Sequence, residues 1–285
     1  MSMKTSFQQL MIGSLCKNEA ATKDVLRSVK AMGYDEIELN GFMTHPTSFF
    51  VRMLTKLAGM PTGKVGKYDW KKLVRDAGLG VTSIHFDLGT LERDLTACIQ
   101  EAKDYPTNRI VVTGMYRFDY SDLKALEELS TRLNKVGEQL AQSGIELLYH
   151  NHNVEFKRVG EKNQFAYEIL MERLNPDWVN FEFDSYWAAE AGVNVYSLMR
   201  RLGKRLKLHH INDRGSKEKG PYMTPIIKND SMELGTGTMD LETLLQIDRE
   251  AGVDTVILET HRNFIDGSPL RSLEISGQYL QNHAK

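Results

Sequence analysis

The 285-residue sequence predicts an α/β protein, a single-domain (β/α)8 TIM barrel over 1–285. Three observations carry this expectation. Eight short apolar runs of strand-like composition alternate with segments of helical spacing. Parallel strands need helical crossovers, and eight strand–helix units favour a closed barrel over an open sheet. No GxGxxG follows the first strand and no GxxxxGK[ST] occurs, which argues against a nucleotide-binding open sheet.

The elements run as follows. Leu10–Leu15 is the candidate first strand, and Val25, Leu26, Val29 and Met32 space a helix that Gly33 stops. Asp35–Asn40 is the second strand. The irregular stretch 41–66 is longer than ordinary connections and reads as a lid, a binding loop or a subunit contact. Helix Tyr68–Ala77 precedes the third strand, Val81–Asp87, and helix Leu91–Asp104 precedes the fourth, Arg109–Gly114. Ser121 caps a long helix to Gln142, and Ile145–His150 is the fifth strand. Helix Phe165–Leu174 leads to the sixth strand, Trp178–Asp184. Helix Val195–Leu202 leads to the seventh, Leu206–Asp213. A second long loop covers 214–237, Asp240 caps a helix to Ala251, Thr255–Glu259 is the eighth strand, and Pro269 opens the last helix.

Composition narrows the function classes. Thirty-six basic and 38 acidic residues give a net charge of −2, with no global pull toward nucleic acid or an anionic membrane. No apolar run is long enough for a membrane span, and the first residues lack the apolar core of a signal peptide. Cys16 and Cys98 are the only cysteines and form no CxxC, so a cytoplasmic protein without disulfides is expected. A homo-oligomer is compatible with the sequence.

In a barrel the chemistry sits at the C-terminal ends of the strands. The fifth strand ends in His150, Asn151 and His152, with Glu155 beyond; the sixth ends in Asp184; the seventh in His210 and Asp213; the eighth in Glu259, with Arg262 after its turn. Any one carboxylate at a strand end can be a helix cap. Four consecutive strands ending in such groups point to a metal-binding site. Imidazoles and carboxylates without thiolate suit Mn²⁺, Mg²⁺ or Co²⁺, and Zn²⁺ is also compatible. His209 alternates to the opposite face from His210, and Glu182 lies one layer below Asp184. Glu38 reads as a surface salt-bridge residue, His85 as a core or mouth-lining group, and Trp187 as a wall for the flat face of a sugar ring.

These residues resemble the xylose isomerase-like sugar phosphate isomerase/epimerase family, which includes endonuclease IV. The likeness is densest from 145 to 262. It follows the subgroup with a YHNHxxEF signature, Tyr149-His-Asn-His-Asn-Val-Glu-Phe156 here. Asp184-Ser-Tyr-Trp187, His210-Ile-Asn-Asp213, Gly235-Thr-Gly-Thr-Met-Asp240 and Glu259 are similar to its further elements. The resemblance implies one divalent metal, Mn²⁺ first, held by Asp184, His210, Glu259 and a fourth ligand. That ligand is either His150, where related ketose 3-epimerases carry a Glu, or Glu155 folding back. Glu155 is the expected ligand, which frees His150 to move a proton with Glu259. His152, Trp187, Asp213 and Arg262 are the expected substrate contacts. The implied activity is isomerisation or epimerisation of a sugar or sugar derivative (a keto-sugar, an inosose or a 3-keto-glycoside) through an enediolate. Loss of a leaving group from the same intermediate would make a lyase or dehydratase. An endonuclease IV-like phosphodiesterase and a non-catalytic sugar-binding barrel are the weaker readings.

Overall fold

The computed structural model describes residues 2–45 and 67–285. Eight parallel strands close into a barrel: β1 Lys4–Gln8, β2 Glu36–Asn40, β3 Gly80–Phe86, β4 Arg109–Thr113, β5 Glu146–His150, β6 Val179–Asp184, β7 Leu206–Ile211 and β8 Thr255–Leu258. Each pairs with its sequence neighbour, and β8 closes on β1 through Lys4↔Thr255 to Phe7↔Leu258. The expected barrel is therefore present. Of the expected lid over 41–66, residues 41–45 begin with a helical turn, Gly41–Thr44, and 46–66 lie outside the described residues.

Strand alternation sorts the core into two parts. Val111, Leu148, Leu208 and Ile257 form an apolar cluster of their own, inside the barrel. Outward-facing strand residues, including Ile110, Val112, Leu147, Tyr149, Phe181, Phe183, Val256 and Leu258, join the larger core beneath the surrounding helices. The same parity places Thr113, His150, Glu182, Asp184 and His210 inside, above the apolar layer. On the β1–β3 side the interior is polar even at depth: Thr82 Oγ1 donates to Glu36 Oε2 at 2.9 Å and lies 2.8 Å from Ser6 Oγ.

Several boundaries differ from expectation. The first strand is Lys4–Gln8, while Gln9–Ile12 is a 3-10 turn. The long helix Leu123–Ala141 is capped by Asp122, not Ser121: Asp122 accepts from the backbone N–H groups of Lys124 and Ala125. The expected helix Leu91–Asp104 is two helices, Leu88–Arg93 and Leu95–Asp104, broken at Asp94. A short helix, Ser185–Glu190, and two small hairpins, 158–159 with 164–165 and 213–215 with 230–232, add to the mouth.

Gly137 lets the helix Leu123–Ala141 approach the barrel wall. A Cβ there would lie 2.7 Å from Val179 Cγ2 and 2.8 Å from the Trp178 carbonyl oxygen. Alanine normally gains up to about 1 kcal/mol over glycine in a helix. Here the obstacle is backbone, so Gly137→Ala should instead destabilise by roughly 1–3 kcal/mol in a denaturant titration.

Candidate active site

The inward ends of β2, β3, β5, β6, β7 and β8 meet in one buried cluster of imidazoles and carboxylates. His150, Asp184, His210 and Glu259 bring one ligand atom each within 4.8 Å of one another, and so do Glu38, His85, Glu182 and His210. Asp184, expected at a strand end, both joins the first group and caps the helix after β6, since its Oδ1 accepts from Trp187 N at 2.8 Å. His210 stands between the groups. Its Nδ1 lies 2.9 Å from Glu259 Oε2 and its Nε2 lies 2.6 Å from Glu38 Oε2. His150 Nδ1 lies 3.0 Å from Glu182 Oε2, so a neutral His150 that donates this hydrogen bond carries its lone pair on Nε2.

Charge is what makes this cluster unusual. Glu38, Glu182, Asp184 and Glu259 are each at most 7% exposed. Burial opposes charge on His85, but Glu38 and Glu182 overcome it and raise its pKa to about 10. His210 is likewise raised, by Glu182, Glu38 and Glu259 against burial. His150 is held well below its ordinary value by burial and by the positive His210 and His85. Burial, followed by the charge of Glu38, lifts Glu182 to about 7, and burial with Glu259 lifts Asp184 well above the usual carboxylate range. Two of the four carboxyls, Glu182 and Asp184, are thus pushed toward their neutral forms by burial and by neighbouring carboxylates, a penalty that a divalent cation would relieve by holding them ionised. Two imidazoles and two carboxylates with no thiolate in the first group fit such an ion by chemistry.

Glu155, expected as a ligand, belongs to neither group. Its Oε1 accepts from Tyr149 Oη at 3.0 Å and its Oε2 from the His152 backbone N–H at 3.0 Å. Tyr149 in turn lies 2.9 Å from Tyr120 Oη, and burial lifts the Glu155 pKa to about 7. Its carboxyl is committed to pinning the turn after β5, and His150 is the side chain that meets Asp184, His210 and Glu259. Asn151 fixes the same turn to β6, accepting from Asp184 N at 3.0 Å and donating to Asp184 O at 3.1 Å.

The rim holds two of the expected substrate contacts. The His152 ring centroid lies 5.1 Å from His150 and 5.8 Å from Trp187, and Trp187 lies 4.9 Å from His261. Burial and His150 lower the His152 pKa to about 3, so it is neutral at ordinary pH. Trp187 Nε1 and His261 Nε2 are buried without a hydrogen-bond partner.

The other two expected contacts are turned elsewhere. Asp213 Oδ1 accepts from Arg214 N and Met239 N at 2.8 and 3.1 Å, and its Oδ2 from Gly235 N and Gly237 N at 3.1 and 2.8 Å. Asp213 therefore clamps the Gly235–Asp240 turn. A Cβ on Gly237 would collide with the Asp213 carboxylate and with Arg214 O. Arg262, 61% exposed at its side chain, pairs with Asp230 at 2.8 Å.

Sequence reasoning missed Glu38 and His85 as site residues and did not single out His261. Glu38, read as a surface residue, is fully buried. His209 behaves as expected: it faces outward from the barrel and meets Asp248 at 2.7 Å.

Residues 26–280 match the family model described as xylose isomerase-like TIM barrel. The chain belongs to that family. Among curated relatives of this xylose isomerase-like barrel, an inosose dehydratase of Mesomycoplasma hyopneumoniae is 32% identical over 94 residues, covering 33% of this chain and 30% of the relative. A second inosose dehydratase, from Clostridium botulinum, is 23% identical over 189 residues, 61% of this chain and 59% of the relative. The chain thus spans less than two thirds of the length of these relatives. A solved sugar phosphate isomerase/epimerase from Parabacteroides distasonis superposes with a TM-score of 0.76 at 22% identity, covering 99% of this chain and 94% of the other. The IolI protein, solved with a zinc atom, superposes at 0.69 and 14% identity over 99% and 98% of the two chains. At these identities the solved structures speak to the fold.

Replacing Asp213 with Ala strands four backbone N–H groups. Asp213→Ala is expected to lose about 2–4 kcal/mol in chemical denaturation, with faster amide exchange at Gly235 and Gly237.

Proposed function

We propose that this xylose isomerase-like barrel is a divalent-metal-dependent cytoplasmic sugar isomerase or epimerase that removes a proton next to the carbonyl of a keto-sugar, inosose or 3-keto-glycoside. The observation that carries the reading is the buried group His150, Asp184, His210 and Glu259, two imidazoles and two carboxylates that bring one ligand atom each within 4.8 Å of one another. These four residues would hold the cation, with Mn²⁺ the first choice. When bound, the ion supplies electrostatic polarisation of the substrate's carbonyl and hydroxyl oxygens.

The chain's own side chains divide the remaining work. Glu155 is occupied by Tyr149 and His152 N, and His150 has its Nδ1 on Glu182 and only Nε2 left for the metal, so neither is the mobile base, whereas Glu259 meets His210 through Oε2 and keeps a second oxygen. His152, the partly exposed imidazole beside His150 at the rim, takes the proton, and Glu259 serves as the second carrier. Trp187 covers one face of the substrate ring, and its unpartnered Nε1–H, with His261 Nε2, meets ring hydroxyls. Returning the proton to the other face of the carbon gives an epimer, and to the neighbouring carbon an isomer. Expelling a β-hydroxyl gives dehydration, the second reading, which is favoured by the curated dehydratase relatives.

The test is deuterium exchange from solvent into a panel of keto-sugars, inososes and 3-keto-glycosides with added Mn²⁺. Asp184→Asn and Glu259→Gln should each abolish exchange, and full activity in both would sink the reading. His152→Ala should lower kcat by about 10²–10⁴-fold with metal content unchanged. Trp187→Phe, which removes the N–H but keeps an aromatic face, should raise KM with a smaller effect on kcat.

A further inference from the structure

We infer that Glu38, His85, Glu182 and His210 form a second divalent-cation site, below the first and joined to it by the His210 ring. The group lies at the inward ends of β2, β3, β6 and β7, and each member is at most 8% exposed. Its donor atoms are spaced as a small coordination shell. His85 Nε2 is 3.0 Å from Glu38 Oε2 and 3.2 Å from Glu182 Oε2; His210 Nε2 is 2.6 and 3.3 Å from the same two oxygens. Four donors this close, two imidazole nitrogens and two carboxylate oxygens, suit a four-coordinate ion such as Zn²⁺ or Co²⁺.

Orientation separates this from an ordinary ion-pair network. His85 Nε2 is buried and sits between both carboxylates without lining up on either one, and Glu182 Oε1 is buried without a hydrogen-bond partner. A nitrogen aimed between two carboxylate oxygens is placed as a ligand is placed. The outer supports are present as well. His85 Nδ1 lies 2.9 Å from Thr113 Oγ1, Ser83 Oγ donates to Glu38 Oε1, and Gln8 Nε2 donates to Glu38 Oε2 at 3.3 Å. Such contacts fix ring orientation and carboxylate geometry at metal sites. His210 offers Nδ1 toward Glu259 and Nε2 toward Glu38, so filling both sites requires it to release both ring protons and bridge as an imidazolate.

The experiment is metal stoichiometry on the full chain, by elemental analysis after Zn²⁺ loading and exhaustive dialysis, repeated with Co²⁺ to read the visible bands of tetrahedral cobalt. Wild type should hold two ions per chain. His85→Ala, which leaves the upper group intact, should hold one, and so should Asp184→Asn, which leaves the lower group intact. His85→Gln replaces His85→Ala if the latter does not fold. One ion in wild type, retained by His85→Ala and lost by Asp184→Asn, overturns the second site and leaves the proposed function standing. One ion lost by His85→Ala but kept by Asp184→Asn supports the lower site and removes the metal from the proposed function. No ion in wild type overturns both.

Discussion

Burying four carboxylates under the mouth of a barrel is the constraint on which the rest of this structure depends. Glu38, Glu182, Asp184 and Glu259 are all but removed from water, a state that is costly unless each charge is matched. The chain matches part of it with the charge of His85 and His210 and with a hydrogen-bonding contact from His150 to Glu182, and the backbone is arranged to keep those rings in place. Tyr149, Asn151 and Glu155 hold the turn after β5 without facing the cluster themselves. The YHNHxxEF run is therefore two interleaved sets: His150 and His152 look into the mouth, while the residues between and after them fix the direction in which they look.

The helices and loops serve the same end. Close contact at Gly137 seats a long helix against β6, which carries Glu182 and Asp184. Asp184 also starts the next helix, so one carboxylate ties the cluster to the aromatic rim that begins at Tyr186 and Trp187. The polar lower interior on the β1–β3 side, with Ser6, Glu36 and Thr82 bonded together, continues the polar character downward where the opposite half is aliphatic.

Much of this was legible in the sequence, and the failures have physical causes. The barrel and the imidazoles and carboxylates at the ends of the last four strands follow from alternation and from where barrels put their chemistry. The first strand was misplaced because Lys4–Gln8 is polar: its inward residues face the polar half of the interior, while the apolar run after it is a turn beneath the mouth. Glu155 looked like a ligand because a carboxylate beside two histidines usually is one, and nothing in linear spacing shows a tyrosine hydroxyl and a backbone N–H claiming it. Glu38 could have been found by parity, since Glu36, Glu38 and Asn40 share one face of a short strand between apolar Ile37 and Leu39. His85 sits in register with Asn40 and Val111, which only the assembled sheet reveals.

The Asp213 clamp has a consequence for the loop that follows β7. By gathering the N–H groups of Gly235, Gly237 and Met239 onto one carboxylate, it fastens both ends of the segment 214–238 to the end of β7. The segment between is held further by the hairpin of 213–215 with 230–232, and beyond it Tyr222, Met223, Ile226 and Ile227 are exposed. Asp213 thus separates two tasks: its carboxylate organises the surface segment, while the cluster beneath is held by other residues.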